Sequence, residues 1–295
     1  MKYKILSLFF ILSTIGFGNE FQNNLSQIHQ NIILKRGEEQ FRSNVIFNSM
    51  GINGMSSSNQ YIEYVGKSHG NYNHDTKYSK VKGLLLGTNS NLVKHPNIYA
   101  GISLGYIKSN VKMNDSNNTK VRTYGFEYLI GKKYHNFLTI GKFGYAESKN
   151  IFPEYKYRQK DYHIGVESGY IYKINNFAVY PYITLNWNQY TTRQHLNIPT
   201  FDQKVFYTGA GMNITKIIKH NFIISGSLEY NYGIPKTKYR TNDINYQRLD
   251  NSYAHFNITL GYIFDNDLML STTYRKFFNN KYDYDLFSVG ISHNF

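Results

Sequence analysis

The sequence has no cysteine and only five prolines in 295 residues. Because no disulfide can form, stability must come from packing and from a complete hydrogen-bond ladder. The scarcity of proline suits long central strands, in which a missing N–H would interrupt the ladder. No segment beyond residue 18 approaches the ~20 consecutive apolar residues that a membrane helix needs, which excludes a helical membrane protein.

Acidic residues are also few, 19 against 33 Lys and Arg, for a formal charge of +14. We interpret this charge as a basic surface facing anionic lipid headgroups, with an anion-favouring lumen as the alternative. The lysines are scattered over predicted loops, so we expect no nucleic-acid partner. Aromatic residues are abundant instead, with 29 Tyr and 20 Phe against one Trp. This excess is typical of the aromatic girdles of outer-membrane β-barrels.

The last ten residues alternate in character. One face of a strand over 286–295 carries Phe287, Val289, Ile291 and Phe295, and the other carries Ser288, Gly290, Ser292 and Asn294. Side chains of a strand alternate with a period of two, so one face is apolar and the other small and polar. A terminal strand of this kind, ending on an aromatic residue, is typical of a transmembrane β-barrel with its apolar face in lipid.

Twelve segments have the length of a tilted membrane strand. They lie at 59–68, 79–88, 97–108, 121–131, 137–147, 161–172, 177–189, 204–215, 221–232, 253–264, 267–277 and 286–295. Short links, as at 132–136 and 265–266, alternate with longer polar ones at 109–120, 148–160, 191–203 and 233–252, as periplasmic turns and external loops do. The link at 89–96 is longer than this scheme requires. The pattern predicts an all-β fold, an antiparallel transmembrane barrel of about twelve strands over 59–295.

Glycine followed by an aromatic residue recurs in these segments, as in Gly101-Ile-Ser-Leu-Gly-Tyr106 and Gly165-Val-Glu-Ser-Gly-Tyr170. With the dozen strands and the terminal Phe295, the chain resembles the C-terminal β-domain of autotransporters, the translocator of type V secretion. The resemblance implies a twelve-stranded barrel in the bacterial outer membrane. It also implies insertion by the barrel-assembly machinery, with Phe287, Val289, Ile291 and Phe295 as the assembly signal.

The residues before the barrel divide into two parts. Residues 1–18 are predicted to be a cleaved secretory signal, because Lys2 and Lys4 precede a short apolar run. Residues 19–50 are predicted to be an amphipathic helix, with Phe21, Leu25 and Ile28 at helical spacing. In autotransporters such a helix threads the pore towards a secreted passenger, and we expect no passenger here. We expect a plug in the lumen, with a periplasmic amphipathic segment as the alternative.

Six charged residues fall mid-strand on the phase that faces the lumen. They are Glu63, Glu127, Lys142, Glu167, Glu229 and Arg275. A charge on the lipid face would cost a few kcal/mol, so we place all six inside, where they can pair across strands or hold the helix through Lys35, Arg36 or Arg42.

No enzyme is predicted. Ser292 and His293 are neighbours on opposite faces of one strand and cannot cooperate as a nucleophile and its base. The ten His show no metal-binding spacing, so no metal and no cofactor are expected. The leading hypothesis is a monomeric translocator-type barrel in outer-membrane lipid. The alternatives are a porin-like channel for small anionic solutes, and an adhesin or receptor acting through the external loops, of which 233–252 is the longest.

Overall fold

A computed structural model describes residues 2–51, 58–72, 79–112, 118–151, 156–192, 201–218, 221–239, 252–264, 267–278 and 282–294. It contains one helix and thirteen β segments. They are α1 (Lys2–Met50), β1 (Ser58–Tyr72), β2 (Ser79–Leu92), β3 (His95–Lys112), β4 (Asn118–Tyr134), β5 (Phe137–Ile151), β6 (Lys156–Tyr170), β7 (Tyr172–Ile174), β8 (Phe177–Thr192), β9 (Phe201–Ile218), β10 (Phe222–Tyr239), β11 (Tyr253–Ile263), β12 (Leu268–Phe278) and β13 (Tyr282–Asn294).

The strands form one closed antiparallel barrel. Each strand pairs with its neighbours in sequence, and β13 pairs with β1 to close the cylinder, from Asn59 opposite Asn294 to Tyr72 opposite Tyr282. β6 and β7 are two parts of one barrel strand, because both pair with β8. At the break between them, the Ile171 N–H donates to the Asn136 carbonyl at 2.8 Å. The predicted twelve-stranded antiparallel barrel is therefore confirmed.

The predicted strands are all present, and most are longer than predicted. At one rim the connections are tight turns, several with a residue in the left-handed region that two-residue hairpins require: His135, Asn175 and Asp267. The predicted link at 89–96 is wrong in length, since β2 runs to Leu92 and β3 begins at His95. At the other rim the strands continue past the predicted boundaries, because ladder hydrogen bonding does not end where the lipid ends.

Alternation along the strands follows the predicted phases. On β3, Leu104 and Tyr106 point outwards, while Tyr99 and Ser103 are buried inside. The Gly–aromatic pairs keep the same phase, with Gly125 and its equivalents facing inwards and the aromatic side chain facing outwards. The outer surface is therefore apolar and rich in aromatic residues, as a barrel in lipid requires.

The barrel encloses part of α1. The chain forms a single helix from Lys2 to Met50, and of its side chains those from Ser26 onwards are described. Most of these are buried, including Gln27 and Gln30, which lie on the polar side of the helix, away from Leu25 and Ile28. The alternative of a periplasmic segment is wrong, because the helix packs inside the barrel against β1 to β6. Within the part of the chain that the structure describes, no helix is both long and apolar enough to cross a membrane.

The direction of the helix follows from its contacts at the two rims. The Ser26 hydroxyl donates to Asn150 Oδ1 at 2.9 Å, near the end of β5 that leads into a longer loop. At the opposite rim, Lys173 Nζ donates to the Ser49 carbonyl at 2.5 Å, beside a tight turn. Since long connections of such barrels are external and tight turns periplasmic, α1 enters from the external rim and ends at the periplasmic rim.

Candidate functional site

The helix inside the lumen is held between two apolar layers. Near the external rim, Ile28, Ile32 and Ile33 pack in one cluster with wall residues such as Leu85 and Phe277. Towards the periplasmic rim the helix presents a second set, Phe41, Val45, Ile46 and Phe47, to two further clusters of the wall. The charged side chains of helix residues 35–42 lie between these layers, which shield them from water.

Three basic helix residues each bind a carboxylate of the wall. Lys35 Nζ lies 2.6 Å from Glu229 Oε1, and Arg36 pairs with Glu63. Arg42 forms a bidentate pair with Glu167, with Nε–Oε1 2.8 Å and Nη2–Oε2 2.6 Å. The sequence suggested these three helix residues as partners of the lumenal carboxylates, and the structure brings them together.

The wall residues around Arg42 and Lys35 are linked to each other. The Arg42 guanidinium lies 4.2 Å from the centre of the Tyr182 ring, a cation–π contact. The Tyr182 hydroxyl donates to Glu229 Oε2 at 2.9 Å, so the ring contacts one helix residue and orients the partner of another. Bidentate and charge-assisted bonds of this kind fix geometry as well as charge.

Arg275 lies on the other side of the helix. Its Nη1 donates to Glu63 at 2.7 Å and its Nε donates to Glu39 of the helix at 3.1 Å. The Asn257 side-chain amide donates to the second oxygen of Glu39 at 2.7 Å. Glu39 is thereby held by β11 and β12 together.

Glu127 and Lys142 have different surroundings. Lys142 Nζ lies 2.8 Å from Glu38 of the helix and 3.5 Å from Glu167 across the sheet. Glu127 is fully buried, and neither of its oxygens has a hydrogen-bond partner among the described residues. All six lumenal charges therefore lie inside, but the cluster includes helix residues that the sequence did not single out.

Four residues of this cluster were missed as site residues: Glu38, Glu39, His163 and His255. The two glutamates lie on the helix between Lys35 and Arg42. Their position indicates a site only if the helix is known to lie in the lumen. His163 has the same strand phase as Glu167, and His255 the same phase as Asn257. Burial of both imidazoles beside the helix depends on cross-barrel distances that one strand does not reveal.

Glycines of the wall make room for the helix. A Cβ added at Gly131 would lie 2.7 Å from Phe41 Cε1, and one at Gly101 would lie 2.8 Å from Phe41 Cδ2. At Gly105 an added Cβ would lie 2.7 Å from Ile33, and at Gly144 it would lie 2.5 Å from Leu34. The recurring inward glycines thus form the surface on which α1 packs.

Charge inside the lumen is nearly balanced. Among the described residues, the cluster around helix positions 35–42 contains five cations and six carboxylates. The cations are Lys35, Arg36, Arg42, Lys142 and Arg275, and the carboxylates are Glu38, Glu39, Glu63, Glu127, Glu167 and Glu229. This layer does not have the basic excess that an anion-favouring lumen would require.

The terminal strand has the predicted faces. Phe287, Val289 and Ile291 are half exposed on the outer surface, and Ser288 and Ser292 are buried inside. Phe295 lies outside the described residues. Parts of the predicted external loops also lie outside the described residues, including residues 240–251 of the longest loop, 233–252.

Solved structures with the same fold include three autotransporter domains. The translocator domain of NalP from Neisseria meningitidis is 12% identical, with a TM-score of 0.64 over 92% of this chain and 99% of that one. The transport unit of AIDA-I from Escherichia coli is 12% identical, with a TM-score of 0.59 and coverages of 88% and 98%. The β-domain of BrkA from Bordetella is 11% identical, with a TM-score of 0.57 and coverages of 81% and 100%.

Comparison with curated proteins gives no match. The family model described as the autotransporter β-domain matches residues 60–275, which is most of the chain. This match covers β1 to β12 almost completely, and the barrel geometry agrees with it. The chain belongs to the autotransporter β-domain family, and it is an integral β-barrel of the bacterial outer membrane.

Proposed function

We propose that this protein is a translocator-type barrel whose pore is closed at rest by α1. The observation that carries the proposal is the ionic attachment of the helix to the wall on several sides: Lys35 to Glu229, Arg36 to Glu63, and Arg42 to Glu167. A helix that only rested in the lumen would not need buried charged partners on separate strands. Each such partner costs desolvation energy that only good pairing offsets.

The direction of α1 supports the same role. Residues before Ser26 leave the barrel at the external rim, and Met50 leads to β1 at the periplasmic rim. This is the direction expected if the N-terminal part of the helix has moved outwards through the pore. The barrel then serves as the conduit for that part, and the rest of the helix remains in the lumen as a plug.

Passive conduction of small anions is less well supported. The charged layer is nearly balanced, and helix side chains from Ser26 to Met50 fill the lumen, both in the charged layer and in the apolar layers. An open route would require the helix to leave.

Single-channel conductance separates the two functions. Mature protein beginning near Asn19 is refolded and inserted in a planar bilayer, beside a version lacking residues 21–50. We expect the intact barrel to be closed and the shortened one to conduct steadily, because removal of the helix empties the lumen. Heat-dependent gel mobility verifies that both barrels are folded. Steady, anion-selective current through the intact protein would contradict the proposal and favour a porin-like channel.

Export and assembly complete the proposal. We propose that residues 1–18 are removed on export. The barrel-assembly machinery then recognises the terminal strand through Phe287, Val289, Ile291 and Phe295, and the assembled barrel is a monomer in the membrane. The apolar outward row on β13 supports this role. The intact mass of protein extracted from outer membranes should correspond to a start near Asn19. Phe295→Ala should lower the amount of assembled barrel, and an unchanged amount would exclude Phe295 from the signal.

A further inference from the structure

One buried carboxylate in the lumen has no hydrogen-bond or ion-pair partner among the described residues. Glu127 on β4 is fully buried, and both its oxygens are without a donor among the residues that the structure describes. The remaining five carboxylates of the charged layer each have at least one cationic neighbour within 4.0 Å. A buried carboxylate without such a close partner is strongly unfavourable unless a cation or a proton neutralises it.

Two further electron-pair donors converge on Glu127. Glu38 Oε1 and His163 Nε2 are both buried and both lack a hydrogen-bond partner among the described residues. They lie 3.9 Å apart. One oxygen or nitrogen of each of Glu38, Glu127 and His163 lies within 4.8 Å of the other two. Three groups with lone pairs thus face one small volume between the helix and the wall.

The hydrogen bonds around His163 determine which of its nitrogens carries the proton. Asn188 Nδ2 lies 3.3 Å from both carboxylate oxygens of Asp161, so Asn188 donates in that direction. Its Oδ1 is then the acceptor for His163 Nδ1, at 3.0 Å. With the proton on Nδ1, Nε2 carries a free lone pair, and it lies 3.9 Å from Glu38 Oε1. An imidazole held through its second nitrogen in this way is the usual arrangement of a metal ligand.

We propose that Glu38, Glu127 and His163 form a binding site for a divalent transition-metal cation of the Zn²⁺ class. One imidazole nitrogen and two carboxylate oxygens suit Zn²⁺ better than Ca²⁺ or Mg²⁺, which prefer oxygen ligands alone. Tetrahedral bonds of ~2.1 Å place ligand atoms ~3.4 Å apart. Displacements of about 1 Å in the three side chains would therefore complete the site. A water molecule would be the fourth ligand.

The charges nearby are compatible with a bound cation. Lys142 and Lys35 both contact Glu38, but through Oε2, at 2.8 and 3.0 Å, which leaves Oε1 directed to the site. Lys142 also lies 3.5 Å from Glu167, which offsets its repulsion of a metal ion. The absence of a side chain at Gly37 lets the helix lie close to Glu127, since a Cβ there would lie 2.6 Å from Glu127 Oε2.

Such a site would connect the helix to the barrel. Glu38 belongs to α1, whereas Glu127 and His163 belong to β4 and β6. The metal would cross-link three elements of a chain that has no cysteine to form a disulfide. Metal content is measured independently of conductance, so the metal site and the closed pore are tested separately.

The test measures zinc in the refolded mature barrel. Because the site is buried, the protein is refolded with a small excess of Zn²⁺, passed through a desalting column with a weak chelator, and analysed for metal per barrel. We expect about one Zn²⁺ in the parent protein, and at least a tenfold lower content in Glu127→Gln and in His163→Gln. Asn188→Ala should reduce zinc affinity by about 10- to 100-fold, because it removes the group that orients His163.

His255→Gln is the matched control. His255 is also a buried lumenal histidine, with Nε2 3.3 Å from Glu39 of the helix, but that carboxylate is already bound by Arg275 and Asn257. This variant should retain the full zinc content. Equal zinc in the parent and in Glu127→Gln, or equal loss in His255→Gln, would overturn the assignment. So would a zinc-free parent that Glu127→Gln stabilises, since a proton would then neutralise the carboxyl.

Discussion

Glu167→Ala is expected to open the barrel. The substitution leaves the buried guanidinium of Arg42 without its bidentate partner. Removing one member of a buried ion pair costs about 3–5 kcal/mol, because the other charge stays desolvated. The substitution therefore destabilises the state in which α1 is docked, because Arg42 is hydrated again when the helix leaves the lumen. The fraction of time spent conducting in a planar bilayer should therefore rise by at least a hundredfold.

Two variants make this result specific. Arg42→Met combined with Glu167→Leu removes both charges and should conduct much less than Glu167→Ala, since no unpaired charge remains. Glu147→Ala removes a carboxylate of β5 whose partner, Arg158, is 60% exposed. Arg158 stays hydrated when its partner is removed, and Glu147 bonds to the wall residues Tyr145 and Arg158, so this barrel should remain closed. If Glu167→Ala stays as closed as Glu147→Ala, the ion pair does not hold the helix.

Phe41→Ala is the second substitution with a large expected effect. The Phe41 ring is buried between Gly101 and Gly131 and meets Tyr99 edge-on, with ring centres 6.4 Å apart. Loss of a buried phenylalanine costs about 3–5 kcal/mol, and here it removes contacts between helix and wall rather than within the wall. We expect frequent opening in the bilayer, while the heat-dependent gel shift still shows a folded barrel.

The glycine opposite the ring provides the internal control. In the parent protein, Gly131→Ala should weaken helix docking, because the new Cβ would lie 2.7 Å from Phe41. In the Phe41→Ala background the same change should be harmless, since the ring is gone. Phe143→Ala, which changes the outer face of β5, should leave the pore closed. Additive effects of Gly131→Ala and Phe41→Ala would show that the two residues do not share a contact.

The barrel itself was largely predictable from the sequence. A strand in a membrane barrel must present one face to lipid and one to the lumen, so alternation such as that of Leu104 and Ser103 assigns each residue to a side. Strand ends were less predictable, because pairing continues beyond the lipid. The turn after Leu92 was predicted too long for this reason: its polar residues do not distinguish a loop from the end of a strand.

The helix was harder to place. Its apolar positions predict an amphipathic helix, which ordinarily leaves its polar side in water. Here Gln30 and Lys35 are buried as well, because the lumen wall supplies polar partners on every side. No local sequence pattern predicts that environment. The same applies to Glu38 and His163, which are distant in sequence and meet only when the helix enters the closed barrel.

Disulfide trapping tests the position of α1 most directly. The chain has no cysteine, so a pair introduced at Ser26 and Asn150 would be the only one present. These side chains are 2.9 Å apart at the external rim, and a control pair at Ser49 and Asn150 is separated by most of the helix, about 35 Å. In outer membranes treated with a mild oxidant, we predict cross-linking of the first pair and none of the second, seen as a reducible shift in gel mobility. Absence of a cross-link at Ser26 and Asn150, or equal cross-linking of both pairs, would contradict a helix standing in the lumen with its N-terminal end outside.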